Sequence, residues 1–228
     1  MNIAMNMKHL LAFAAAVIGA ATVTTAAPRA WTAIVAPSPT GSYAVGNPKA
    51  RVQLIEYVSY TCPHCAHFTA EAAPTLDAMV KSGSLRIEYR NQVHDKSDLI
   101  AATLVRCAGP AAFRALHAAL FAKQSEWTQR AWDWDQANAQ RIAPWPEAAQ
   151  LRALVDGAGL ADIARGAGMK TAAIDACFAD KAAMGRTIAA TKYTEKVDGT
   201  PAFEINGRLA DTSVWDKLQP KLRAAGAR

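Results

Sequence analysis

From Val52 to Tyr60 the chain reads VQLIEYVSY, with Gln53 and Glu56 the strongly polar side chains before Ser59. A short, nearly unbroken apolar run predicts a strand buried on both faces, within a parallel or mixed sheet. It leads directly into Thr61-Cys62-Pro63-His64-Cys65, and Pro63 falls where a first helical position would lie, its missing N–H costing nothing there. A helix follows through HFTAEAAPTLDAMVKSGS, apolar or small on one side and bent near Pro74. Residues 85–90, LRIEYR, alternate strictly, which predicts a strand with one apolar and one charged face.

The pattern changes on either side of this block. Residues 27–42 are dense in Pro, Ser, Thr and Gly without periodicity and read as a linker, with a turn at Asn47-Pro48 before the first core strand. From about residue 96 to residue 196 there are Ala-rich helical patterns and no convincing strand. Ser97 is placed to cap a helix carrying Leu99, Ile100, Leu104 and Val105 as far as Cys107. Gly109-Pro110 breaks it, and Pro110 opens another with Phe113, Leu116, His117, Leu120 and Phe121. Further helices are expected over 146–156, 160–165 and 171–196, with Trp127, Trp132, Trp134 and Trp145 in the connecting region as core aromatics rather than a groove lining. Roughly 100 helical residues between strands exceed a crossover connection and predict an insertion. The sheet resumes over 199–208, GTPAFEINGR, where Asn206-Gly207 signals a hairpin because both turn positions need positive φ. Asp211 or Thr212 caps a last helix with Val214, Trp215, Leu218 and Leu222 on one side, and Pro220 predicts a kink or a two-piece end.

Composition sets the context. An apolar content of 51% in 228 residues is enough for a sizeable core, in one domain or one with a large insertion. Lys8, the apolar run 11–23 and the small residues Thr24-Thr25-Ala26-Ala27 read as a secretory signal peptide over 1–26, the alternative being an uncleaved anchor. The net charge of +6 is spread along the chain in short pieces, so nucleic acid is not an expected partner. Export to an oxidising compartment permits disulfides, and four cysteines is an even number.

A Cys-x-x-Cys between strand and helix reads first as a redox pair. Cys62 would sit among the unpaired N–H groups at the helix start, where a thiolate is stabilised and a thiol becomes reactive. Cys65, one turn on, is then the resolving thiol. A structural disulfide or half a zinc site is the bland reading, but zinc wants four ligands and no second such pair exists, with His64 and His67 the available nitrogens. Covalent haem needs His at position 66, which is Ala. His64 is placed to hydrogen-bond the Cys62 sulfur. Glu56 is either a buried acid beneath the pair, its pKa raised so that it exchanges the Cys65 proton, or a carboxylate paired with Arg86 or Arg90 beside Glu88.

These pieces together resemble the DsbA family of thioredoxin-fold, periplasmic dithiol–disulfide oxidoreductases. The resemblance rests on the strand 54–60, Cys62-Pro63-His64-Cys65, the long helical interruption, the Thr200-Pro201 segment and the final helix. It implies an α/β fold, a thioredoxin domain with a mixed central sheet over 43–95 and 190–228, split by an all-helical insertion over 96–189. It implies catalysis by Cys62 and Cys65 with Pro63, His64 and Glu56, a cis-proline at Pro201, and substrate pairing along the Thr200 backbone. It also implies a structural disulfide between Cys107 and Cys177, the alternatives being two buried free thiols or a second redox pair. No metal or organic cofactor is expected beyond the redox-active disulfide. The expected partners are reduced or misfolded exported proteins and a membrane re-oxidant of the DsbB type, with the chain a monomer in the periplasm. Thr200 departs from the valine of the best-known oxidases and matches isomerases of the DsbC type, so an isomerase or reductase stays open beside the oxidase. A metal-binding or chaperone module on the same fold is the reading from another class.

Overall fold

The computed structural model describes residues 30–228; the expected signal peptide, and the first residues of the expected linker, lie outside them. Among the described residues six strands form one sheet in the order β1-β2-β4-β3-β5-β6. They are β1 (Val35–Pro37), β2 (Tyr43–Gly46), β3 (Val52–Val58), β4 (Leu85–Asn91), β5 (Ala202–Ile205) and β6 (Arg208–Leu209). Strand β3 runs parallel to β4 over its whole length and antiparallel to β5, which makes the sheet mixed. Val52, Leu54, Tyr57 and Val58 are buried, while Gln53 and Ile55 are half-buried, so burial on both faces is reached toward the C-terminal end of β3.

The expected linker over 27–42 needs correction. Trp31–Ala33 form a 3-10 turn and β1 follows, pairing Val35 with Val45 of β2, which in turn pairs with Ile87 of β4. Its Ser and Thr residues are tethers rather than spacers: Ser38 and Thr40 hydroxyls donate to Glu88 at 2.9 and 2.6 Å, and Ser42 N–H donates to the Tyr89 carbonyl. Gly41 lies against that same carbonyl, where a side chain would collide with backbone.

Helix α1 (Pro63–Lys81) carries Phe68, Ala72, Leu76, Met79 and Val80 into the core and continues through Pro74. Between β4 and β5 come α2 (Lys96–Cys107), α3 (Gly109–Ala122), α4 (Gln124–Ile142), α5 (Glu147–Gly157), α6 (Leu160–Gly166), α7 (Thr171–Ala179) and α8 (Lys181–Thr191). The cap of α2 is Asp95, whose carboxylate accepts from Asp98 N–H at 2.8 Å, and not Ser97. The stretch that bears Trp127, Trp132 and Trp134 is itself helical, as α4, and Trp145 lies in the turn after it. Trp127 is buried and donates from its indole to the Leu120 carbonyl, but Trp132 and Trp145 are 63% and 41% exposed, against the expectation that they are core. The expected helix over 171–196 is three pieces, because Asp180 ends α7 in an extended conformation and caps α8, and a 3-10 turn at Lys192–Thr194 follows α8. The last helix, α9 (Trp215–Ala225), starts after Val214 instead of at Asp211 or Thr212. The Thr212 hydroxyl accepts from Val214 N–H one turn earlier, and the helix runs through Pro220 in one piece.

The β5–β6 turn is the expected hairpin. Asn206 and Gly207 have φ of 49° and 84°, and Ile205 pairs with Arg208. Cys107 at the end of α2 is disulfide-bonded to Cys177 of α7, Cα atoms 5.9 Å apart across 70 residues of sequence. Closing a loop of that length restricts the unfolded chain by about 4 kcal/mol. Replacing both cysteines by alanine is therefore expected to lower the unfolding free energy by roughly 4 kcal/mol, read as a lower urea midpoint with a somewhat steeper slope, because the unfolded chain without the cross-link exposes more surface.

Candidate functional site

The reactive end is built where β3 turns into α1. Cys62 is the cap residue, extended at φ −79° and ψ 117°, and Pro63 holds the first helical position. The Cys62 carbonyl accepts from the N–H groups of Cys65 and Ala66 at 3.1 and 3.3 Å. The Cys62 side chain therefore projects at the end of α1 where the helix dipole is positive and the first N–H groups lack intrahelical partners. Both cysteines are free thiols; Cys62 is 9% exposed and Cys65 is sealed.

Facing them is the chain that enters β5. The Thr200–Pro201 peptide is cis, and the Cys62 thiol donates to the Thr200 carbonyl at 3.1 Å. Pro201 has no N–H, so this stretch presents a carbonyl to the sulfur. The Thr200 hydroxyl is buried on the side of Cys65 and makes no hydrogen bond of ordinary geometry. Burial pushes the Cys65 thiol strongly up, opposed by contacts from the Ser59 backbone and Thr200, with the charges of Cys62 and Glu56 adding to the rise. One turn of helix thus separates two sulfurs in opposite settings.

Glu56 is buried in the middle of β3, opposite Tyr89 on one side and Phe203 on the other. Desolvation pushes its carboxyl up to about 8. The pairing with a neighbouring arginine is not what forms: Arg90 bonds Glu88 at 2.8 Å. Glu56 instead borders a cavity between α1 and α3 that also touches Thr69, Tyr89 and His117 and reaches the ion pair of Asp77 with Arg114. His117 belongs to the core; burial lowers its pKa to about 3, so the ring is neutral, and Nδ1 meets the Tyr60 hydroxyl at 2.9 Å.

His64 is exposed and makes no hydrogen bond to the Cys62 sulfur. It lines an open groove with His67, Thr200, Pro201, Val214 and Trp215. His67 reaches Glu71 at 3.9 Å, and among the described residues no group of three or more His, Cys, Asp or Glu is placed to hold a metal ion. Among them also, no helix is long and apolar enough to cross a membrane. Two residues with no mark in the sequence, Asp98 and Gln124, reach the backbone just before and at Cys62.

A family model described as thioredoxin matches residues 38–222. The crystal structure of a protein-disulfide isomerase from Novosphingobium aromaticivorans is similar at 35% identity and a TM-score of 0.71, covering 79% of this chain and 95% of that one. Wolbachia pipientis alpha-DsbA1 is similar in fold, at 21% identity and a TM-score of 0.61, over 83% of this chain and 92% of that one. A Rickettsia conorii protein to which protein-disulfide oxidoreductase activity is provisionally assigned is 28% identical over 168 residues, 72% of this chain. This chain spans about half the length of its curated relatives, 52% of that one and 56% of a Rickettsia bellii counterpart. The mixed sheet interrupted by seven consecutive helices, together with these likenesses, leads to one assignment: the chain belongs to the thioredoxin family, with a fold like that of DsbA proteins.

Proposed function

We propose that this chain is a protein thiol–disulfide oxidoreductase that donates the Cys62–Cys65 disulfide to other proteins. The observation that carries the reading is the contact of the Cys62 thiol, at the start of α1, with the Thr200 carbonyl at 3.1 Å while Cys65 lies sealed behind it. A substrate thiolate attacks the Cys62 sulfur of the oxidised pair. The Cys62–Cys65 bond breaks, a mixed disulfide forms at Cys62, and Cys65 leaves as a thiolate that takes up a proton. A second substrate thiolate then attacks the substrate sulfur of the mixed disulfide and expels Cys62 as a thiolate. The substrate gains a disulfide and the pair is left reduced, so electrons and protons balance without metal or organic cofactor.

Three further parts of the chain have roles in this reading. Burial makes a Cys65 anion unstable, and Glu56, protonated at neutral pH because its pKa is about 8, supplies the proton. The Thr200 backbone and the groove along His64 and Val214 receive an extended segment of substrate, as in strand addition. Pro63 sets the helix start. Substrates of this kind are reduced or misfolded exported proteins, and a membrane re-oxidant of the DsbB type would restore the disulfide. The Cys107–Cys177 disulfide supports an oxidising compartment, the periplasm for an exported chain acting as a monomer. Isomerisation is the second reading, favoured by Thr200 before the proline and by the name of the Novosphingobium relative.

Equilibration against a glutathione series, read by alkylation and mass, is expected to show Cys62 and Cys65 cycling together at a potential of about −120 to −180 mV, and a value near −270 mV, as for a reductase, sinks the donor reading. Cys62→Ser should reduce thiol oxidation of a model substrate to background, and Cys65→Ser, which has no disulfide to donate, should trap a mixed disulfide at Cys62 when offered oxidised glutathione, whose S–S bond its Cys62 thiolate attacks with release of one glutathione thiolate. Glu56 also leaves a signature in stability. Its folded pKa of about 8 lies above the ordinary 4.5, so the folded chain holds a proton that the unfolded chain releases, and stability falls as pH rises from 4.5 to 8. Glu56→Gln is expected to raise the unfolding free energy by about 3 kcal/mol at pH 7, a gain that vanishes below pH 4.5. The same variant should slow reduction of the disulfide, and equal rates in both proteins remove the proton role of Glu56.

A further inference from the structure

The turn between β3 and α1, Ser59 to Cys62, is held mostly from outside itself. Asp98 of α2 is fully buried and accepts from the Ser59 hydroxyl at 2.6 Å, the Tyr60 N–H at 2.8 Å and the His94 N–H at 3.1 Å. Gln124, the first residue of α4, is buried too, and its amide group donates to the carbonyls of both Tyr60 and Cys62 at 2.9 Å. Asp95, the α2 cap, accepts from the Thr61 hydroxyl at 2.9 Å. The Tyr60 hydroxyl meets His117 of α3. The N–H and the C=O of Tyr60, the side chain of Thr61 and the C=O of Cys62 are thus each tied to the helices between β4 and β5.

From this geometry we infer that Asp98 and Gln124 are positioning residues, through which the inserted helices fix the turn that carries Cys62. The chemistry of the donors and acceptors supports the assignment. The Cys62 carbonyl already accepts from Cys65 and Ala66, and Gln124 adds a donor from outside α1, so the first carbonyl of the helix is over-determined. A buried carboxamide or carboxylate is costly unless its polar atoms are matched. Gln124 matches both amide hydrogens on this turn, and Asp98 spends its oxygens on this turn and on the approach to α2. Burial pushes the Asp98 carboxyl up to about 6 against the bonds from Ser59, His94 and Tyr60, with Asp95 adding to the rise. It is an acceptor for all three at neutral pH.

The redox consequence rests on the donor reading above. A turn released from Gln124 lets the start of α1 fray, the sulfur anion at Cys62 is held less well, and the disulfide becomes the more stable form. Gln124→Met keeps side-chain length and removes both donors, and Leu151→Ala, a buried change in α5 that removes no hydrogen bond to the turn, serves as a control for general destabilisation. In the full chain, Gln124→Met is expected to speed hydrogen exchange of the amides of residues 61–66 at least about tenfold, to the exclusion of the rest of α1. It should also move the glutathione equilibrium about fivefold toward the disulfide, the scale of one lost hydrogen bond. Leu151→Ala should do neither at a similar loss of thermal stability. Wild-type exchange rates across 61–66 in Gln124→Met overturn the inference, and so does a control that reproduces both changes. Asp98→Asn, which gives up one acceptor at constant shape, is read in the same way should Gln124→Met fail to fold. A wild-type chain that never cycles with glutathione removes the donor reading alone, since the exchange measurement decides the clamp without redox chemistry.

Discussion

The position of β3 between a parallel and an antiparallel neighbour governs the reactive end. Pairing with β4 continues to Val58 opposite Asn91, and pairing with β5 brings Tyr57 opposite Ala202. The chain leaving β3 must therefore pass the chain entering β5, and within a few residues Cys62 meets Thr200. Buried strands of this kind contribute apolar area on both sides, so the crossing point is fixed by the same burial that stabilises the sheet. Neither sulfur chemistry nor a groove is needed to bring the two segments together.

What the crossing adds is an electrostatic asymmetry. Cys62 lies at the positive end of a 19-residue helix with a carbonyl as its neighbour, and Cys65 lies one turn inward among apolar side chains and a buried carboxyl. Desolvation penalises an anion at the second position, whereas the first lies at the helix end and keeps some exposure. The pair is thus polarised before any partner arrives. In the proposed donor role the outer sulfur is therefore the one attacked and released, and the inner sulfur must take up a proton from a nearby acid. Glu56 is proposed for that task because the same desolvation keeps it protonated at neutral pH.

The sequence made much of this legible, for reasons that differ from residue to residue. Strand β3, the Pro63 helix start and the Asn206-Gly207 turn are local: run length, a missing N–H and positive φ declare themselves within a few positions. The burial of Glu56 followed from its place in an apolar strand, although the run alone could not exclude Arg90 as a partner; that was decided by Ser38, Thr40 and Glu88 claiming the arginine's neighbourhood. Strands β1 and β2 were hidden because three or four residues show no periodicity, and hydroxyl-rich text looks the same whether it bonds water or Glu88. The start of α9 moved because Thr212 bonds one turn before the helix. Trp132 and Trp145 are exposed against a reading from composition, which says nothing about which side of α4 faces solvent, where Trp132 lies, or about the turn after it, where Trp145 lies. The hold of Asp98 and Gln124 on the turn carries no local signal, since their shared partner Tyr60 lies 38 and 64 positions away.

The hairpin at Asn206 has an effect at a distance. Its side-chain oxygen accepts from Gln53 N–H at 2.8 Å and its own N–H donates to the Gln53 carbonyl at 2.9 Å, so the far end of the four-residue β5 is pinned to β3 at one register. Sliding β5 by a single residue would carry the Thr200 oxygen about 3.4 Å along the sheet and turn Phe203 from the interior to the opposite face. The turn therefore works as a gauge: a small polar contact at one edge of the molecule sets, through a short rigid rod, the gap across which sulfur meets oxygen at the other.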